Sequence, residues 1–170
     1  SKICDKRALK NRSILNPAEG KLFKLVFFVP HEHAAKVRDS VFEAGAGVIG
    51  EYDQCSYNIE GQGTFKASAN ADPYVGDKNK LHFEPETRVE TIFPVHMQSK
   101  ILSALLASHP YEEVAYDIYP VTNQYDRVGM GMTGEFEEEI KKHEFLNSLK
   151  AVFNDGCVRY TKLLEKKNFP

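Results

Sequence analysis

The stretch Ser108-His-Pro-Tyr-Glu-Glu-Val-Ala-Tyr-Asp-Ile-Tyr-Pro-Val121 decides the fold. It starts at the end of an apolar segment, turns at His109-Pro110 and leaves as an alternating strand. Val114, Tyr116 and Ile118 fall on one face of that strand, and Ala115, Asp117 and Tyr119 on the other. A helix that runs through a Pro-marked turn into a strand is half of a βαβ-type unit, so the matching half should lie upstream.

It does. Lys21–Val29 is dense in Leu, Phe and Val on both faces, as a central strand requires, and Pro30 stops it. From His31 to Ala44, Ala34, Val37, Val41 and Ala44 recur at helical spacing. Gly45-Ala46-Gly47 ends that helix. Tyr52–Ile59 reads as a strand, Gly61-Gln62-Gly63 as a turn, and Thr64–Ala67 as a further short strand. Asn70–Asn79, polar with Pro73 and Gly76, is expected to be a mobile excursion. Arg88–Phe93 alternates again, and Met97–Ala107 carries Ile101, Leu102, Leu105 and Leu106.

The order β-α-β-β-α-β predicts an α+β, ferredoxin-like sandwich: a four-stranded antiparallel sheet with both helices on one face. Leu22, Val26 and Phe28 would then point away from the helices, and a subunit partner is expected to cover them. The flanks read differently. Residues 1–20 open on a polar, helix-like stretch and end in a turn. Beyond Tyr125, Gly129–Met132 leads to an acidic run, a helix with Phe145, Leu149 and Val152 on one side, a turn at Asp155-Gly156 and a strand over Cys157–Leu164. These pieces look like the edge of a larger domain, and the absence of an initiator Met suggests a fragment.

Composition narrows the function. The 170 residues carry a net charge of −2, 42% apolar and 27% charged residues, which gives no electrostatic basis for nucleic-acid binding. The longest apolar run is too short for a membrane span, and no signal peptide is visible, so a cytoplasmic protein is expected. Cys4, Cys55 and Cys157 form no CxxC pair and suggest free thiols in a reducing compartment.

The densest group of reactive side chains is His109, Tyr111, Glu112, Glu113 and Tyr116. A histidine beside carboxylates can ligate metal or transfer protons. This spacing fits no established metal helix, and the structural reading is that a cationic His109 suits the helix dipole while the glutamates line a solvated or intersubunit edge. Gly45, Gly47 and Gly50 spell GxGxxG, but after a helix rather than a strand, so the dinucleotide fingerprint is spurious. Gly61 and Gly63 belong to a glycine-rich run that could cradle an anion. Cys55, placed mid-strand, reads as a packed thiol. His31 and His33 share no helical face. His82, His96 and His143 are isolated, and the Glu137–Glu139 and Lys141–Lys142 run is a solvated helix start.

GAGVIGEYDQCSYNIEGQGTFKA, PYVG, TRVETIFP and SHPYEEVAYDIYPV stand here in the order in which they occur in the Nif-three family, the GTP cyclohydrolase 1 type 2 homologues. The segment from Lys21 to about Gln124 resembles the inserted middle domain of longer bacterial members. ASHPYEEVAYDIYP is also similar to the HPYE segment of the CutA proteins, whose shape is related to PII proteins. The resemblance implies three parts: 1–20 as a core flank, 21–124 as a PII/CutA-like insert, and 125–170 as the start of the core's second half.

It further implies a trimer of inserts within a hexameric parent that binds two divalent metal ions. The insert would cap the assembly and control access to the metal centre. The family's metal-ligand motifs are not in this sequence, so no cofactor, metal ligand or catalytic residue is assigned, and the chain is predicted inactive alone. His109, Tyr111, Glu112, Glu113, Tyr116, Gly61 and Gly63 remain candidates for an interface or ligand cleft. A second reading is a regulatory module that binds a small metabolite or cation near Asn70–Asn79 and His109–Glu113. A third is part of a metal-dependent hydrolase acting on a nucleotide-like substrate.

Overall fold

A computed structural model describes residues 4–5, 8–160 and 168–169. In chain order its elements are β1 (Lys10–Ala18), β2 (Leu22–Pro30), α1 (Ala34–Glu43), β3 (Ser56–Lys66), β4 (Leu81–Pro94), α2 (Gln98–Ser108), β5 (Tyr116–Val121), β6 (Tyr125–Glu135), β7 (Ile140–Lys141), α3 (Lys142–Phe153) and β8 (Asn168–Phe169). They form two compact units, Glu19–Tyr125 and the segments 1–18 with 126–170. No helix among the described residues is long and apolar enough to cross a membrane.

In the Glu19–Tyr125 unit the sheet order is β3-β4-β2-β5, and all neighbours are antiparallel. This is the ferredoxin-like sandwich: β2 is central, and β4 inserts between the ends of the first βαβ crossover. The two halves begin their helices alike. β2 ends at Pro30 and β4 at Pro94, a three-residue 3-10 turn follows each, and then the helix starts. Proline cannot donate to the ladder, and its fixed φ prepares the turn.

Leu25, Phe27 and Val29 of β2 face Val37 and Val41 of α1, and Ile101 and Leu105 of α2, with Val89 and Phe93 of β4 completing the core. Each such side chain contributes about 1.5–3 kcal/mol by leaving water. Leu106, expected on the buried stripe, is exposed, and Leu102 is only partly buried.

Several expectations need correction. Gly61–Gly63 is not a turn. β3 runs unbroken through both glycines, paired with β4 from Ser56 opposite Thr91 to Lys66 opposite Leu81. The hairpin connection is instead 67–80, and it is tied down. The Asn79 N–H donates to the Ala67 carbonyl at 2.8 Å, Lys78 Nζ to the Ala69 carbonyl at 3.4 Å, and the Asp72 N–H to Glu112 Oε1 at 3.0 Å. The first part of the predicted Tyr52–Ile59 strand makes only an isolated bridge between Ile49 and Tyr52. Cys55 therefore precedes β3 rather than sitting within a strand.

The helix-free face also differs. Leu22 and Val26 are already buried within the chain, Val26 with 1% exposure, and Phe28 is half-buried. By register, Val26 lies between Lys24 and Phe28 and opposite Glu90. Lys24 and Arg88 each reach Glu90 at 2.9 Å, and the Arg88 guanidinium lies 5.8 Å from the Phe28 ring centroid. Long charged side chains can cover apolar residues with their stems in this way. The apolar groups left exposed on this face are Tyr57, Ile59 and Tyr119.

In the other unit, residues expected to be irregular or helix-like form strands: β1 pairs with β6. The alternating Gly129-Met130-Gly131-Met132 makes this possible. A Cβ on Gly129 would meet the Asn16 carbonyl oxygen at 2.2 Å, so only glycine admits β1 so closely. The helix is as expected, α3, and Asn154 closes it in the left-handed conformation at φ 53°. Cys157–Tyr160 is not strand. Residues 161–164 of that expectation lie outside the described residues.

Candidate functional site

The turn after α2 is dictated by Pro110. The residue before a proline is pushed out of the helical region, and His109 takes φ −75° and ψ 140°. The helix ends there, and the imidazole turns inward against β2. His109 is buried, and its Nε2 lies 2.9 Å from the Phe28 carbonyl oxygen. The Tyr111 N–H donates to its Nδ1 at 3.1 Å. A ring nitrogen that accepts carries no proton, so the network assigns the neutral tautomer with Nε2–H donating to Phe28. Burial pushes the imidazole below its ordinary pKa, against the smaller opposing effect of the Phe28 carbonyl. The expected cationic partner for the helix dipole is therefore a neutral, buried hinge.

The hinge sets Tyr111 at the wall of a cavity of about 620 Å³ within the Glu19–Tyr125 unit. Tyr111 forms an aromatic row with its neighbours: ring centroids lie 5.0 Å from His109, 6.1 Å from Tyr74 and 6.3 Å from Phe65. Tyr74 Oη is 2.9 Å from His33 Nε2 and donates to Glu32 Oε1 at 3.4 Å, which holds the 67–80 excursion over the cavity. Phe28 and the carboxylates of Glu86, Glu112 and Glu113 also line it.

Glu86 owes its position to Gly63. A Cβ there would stand 2.1 Å from Glu86 Oε2, so the bare strand gives the carboxylate room to lie down. Burial raises the Glu86 pKa above the usual carboxylate range. Burial, and then the negative charge of Glu86, push the Tyr111 phenol well above its ordinary value. The Tyr111 hydroxyl is buried without a hydrogen-bond partner. The Glu86 carboxylate is the neighbouring charge that acts on this phenol.

Of the residues singled out from sequence, Tyr111, Glu112, Glu113 and Gly63 line the cavity, and His109 supports it from behind. Tyr116 does not line it: it sits on β5 opposite Phe27, with 38% exposure. Gly61 also stays outside, with open space where a Cβ would stand. Phe28, Phe65, Tyr74 and Glu86 escaped sequence reading. The alternation of His82, Glu84 and Glu86 against Leu81 and Phe83 was the available signal for Glu86 alone. Among the described residues, no three His, Cys, Asp or Glu side chains converge as a metal-holding group.

No protein-family model matches the chain. Its curated relatives include the GTP cyclohydrolase 1 type 2 homolog of Halalkalibacterium halodurans, 38% identical over 164 residues, which are 96% of this chain and 44% of that protein. The protein of the same name from Bacillus subtilis is 43% identical over 138 residues, covering 81% of this chain and 37% of that one. The chain thus spans less than half the length of these relatives. Among solved structures, a Bacillus cereus protein related to NIF3 matches at TM-score 0.72 and 35% identity, covering 92% of this chain and 41% of that one. The chain belongs to the Nif-three family, the GTP cyclohydrolase 1 type 2 homologues.

Proposed function

We propose that Glu19–Tyr125 is an inserted assembly domain of a longer, cytoplasmic Nif-three protein. It joins copies through its helix-free sheet face and caps access to a dinuclear metal centre carried by other parts of the parent. One observation carries this reading. The chain enters the unit at Glu19 and leaves it at Tyr125, while the segments on both sides belong together in a second unit. An element that departs from one body and returns to it is arranged as an insert. The exposed Tyr57, Ile59 and Tyr119, beside the Lys24–Glu90–Arg88 ion pairs, supply apolar area and complementary charge on one surface, the composition of a self-associating patch. In this reading the parent assembles as a hexamer of two trimers, and any hydrolysis of a nucleotide-like substrate belongs to the whole protein.

Substitution separates this role from folding. Ile59 is exposed in the single chain, so Ile59→Asp should change its stability by no more than about 0.5 kcal/mol. Light scattering after gel filtration should show the wild-type chain as a multimer and Ile59→Asp shifted towards monomer, with circular dichroism unchanged. A wild-type monomer, or a variant that assembles as well as wild type, contradicts the proposal.

A further inference from the structure

The cavity beside Tyr111 has a chemistry that assembly does not use. Its volume of about 620 Å³ falls within the ~300–1,000 Å³ typical of small-molecule sites. Three of its walls are rings: Phe28, Phe65 and Tyr111, with Tyr74 closing over them. Its charged lining is three carboxylates, Glu86, Glu112 and Glu113, against the single exposed Lys66. The Tyr111 hydroxyl is buried without a hydrogen bond, and a polar atom in that state costs stability until something pairs with it. Aromatic faces attract cations, and a half-buried carboxylate beside an unpaired hydroxyl offers acceptors for N–H donors.

We propose that this cavity binds a small organic ammonium ion, a protonated amine carried on an apolar or aromatic body. The ammonium lies between Glu86 and the Tyr111 oxygen and donates to both, while the apolar body stacks among Phe28, Phe65 and Tyr74. The excursion over the cavity is the lid: Asp72 is tethered to Glu112 and Tyr74 to Glu32. An anion of the same shape meets three carboxylates and is rejected. A neutral isostere can pack, but leaves Glu86 without a countercharge.

Calorimetric titration of the full 170-residue chain with three isosteric probes tests this at neutral pH. Phenethylamine, which is protonated there, should bind saturably at one per chain. 2-Phenylethanol should bind at least tenfold more weakly, and phenylacetate should give no saturable heat. Glu86→Gln should weaken phenethylamine at least tenfold and leave 2-phenylethanol unchanged. The wild-type order of the three probes stands independently of any variant. Equal binding of phenethylamine and 2-phenylethanol, preference for phenylacetate, absence of saturable binding, or a folded Glu86→Gln that binds phenethylamine as wild type would each overturn the proposal.

Discussion

His109 and Phe28 are joined by one hydrogen bond, from imidazole Nε2 to a β2 carbonyl 2.9 Å away and 81 residues earlier in the chain. It locks the turn after α2 to the central strand and so fixes Tyr111 at the cavity wall. His109→Ala removes that donor, leaves the Phe28 carbonyl unpaired and opens a void under Tyr111. The expected loss is about 2–4 kcal/mol, read as a lowered urea midpoint with an unchanged m-value. A midpoint within error of wild type would mean that the hinge contributes nothing to the fold.

The burial of the same imidazole sets a pH dependence. Burial holds the His109 pKa below its ordinary 6.5. Between 6.5 and that lower value the unfolded chain takes up a proton that the folded chain refuses, so stability rises with pH across the window. Its contribution is fully present above about pH 6.5 and is lost as the pH falls towards the folded value, by at most about 1.4 kcal/mol per pH unit. Glu86, raised in the fold from 4.5, acts with the opposite sign: its contribution falls as the pH climbs from 4.5 to its folded value. Urea midpoints at pH 7.5 and 5.5 should differ more for wild type than for His109→Gln. Equal differences would show that another group controls this range.

Gly47 illustrates where glycine is obligatory. It stands at φ +82°, and a Cβ would lie 2.8 Å from the Phe42 ring and 2.9 Å from the Cys55 backbone nitrogen. Its N–H donates to the Ile92 carbonyl and its own carbonyl accepts from Cys55, each at 2.8 Å, so the backbone cannot relax away. Gly47→Ala combines a left-handed conformation with two clashes and should cost about 2–4 kcal/mol. Thermal unfolding checks this, with Gly50→Ala as comparison: Gly50 is also at positive φ, but a Cβ built there meets no atom within 4 Å. The Gly47 variant should be clearly the less stable of the two, and equal midpoints would refute the packing argument.

The architecture was legible where burial imposes a period. Leu25, Phe27 and Val29 against Val37, Val41, Ile101 and Leu105 announce a sheet with two helices on one side, and these residues are the core. Glycine obscured the rest. In β3, Gly61 and Gly63 look like a turn because turns and bare strands share the same residue. Reading them as a turn cut the strand in two and hid the cross-strand relation of Gly63 to Glu86. The cavity disappeared with it, leaving His109, Tyr111, Glu112 and Glu113 without their aromatic wall. In β6, Gly129 and Gly131 concealed a strand for the same reason. The neutral state of His109 follows from its burial and from the Tyr111 N–H that its Nδ1 accepts, neither of which local sequence reveals.

If the Glu19–Tyr125 unit brings copies of the protein together, the unmodified chain is a trimer in solution. Sedimentation equilibrium over a wide concentration range should then give a mass approaching three times the chain's 19.3 kDa, with dissociation only on dilution. A mass of one chain at every concentration would contradict it.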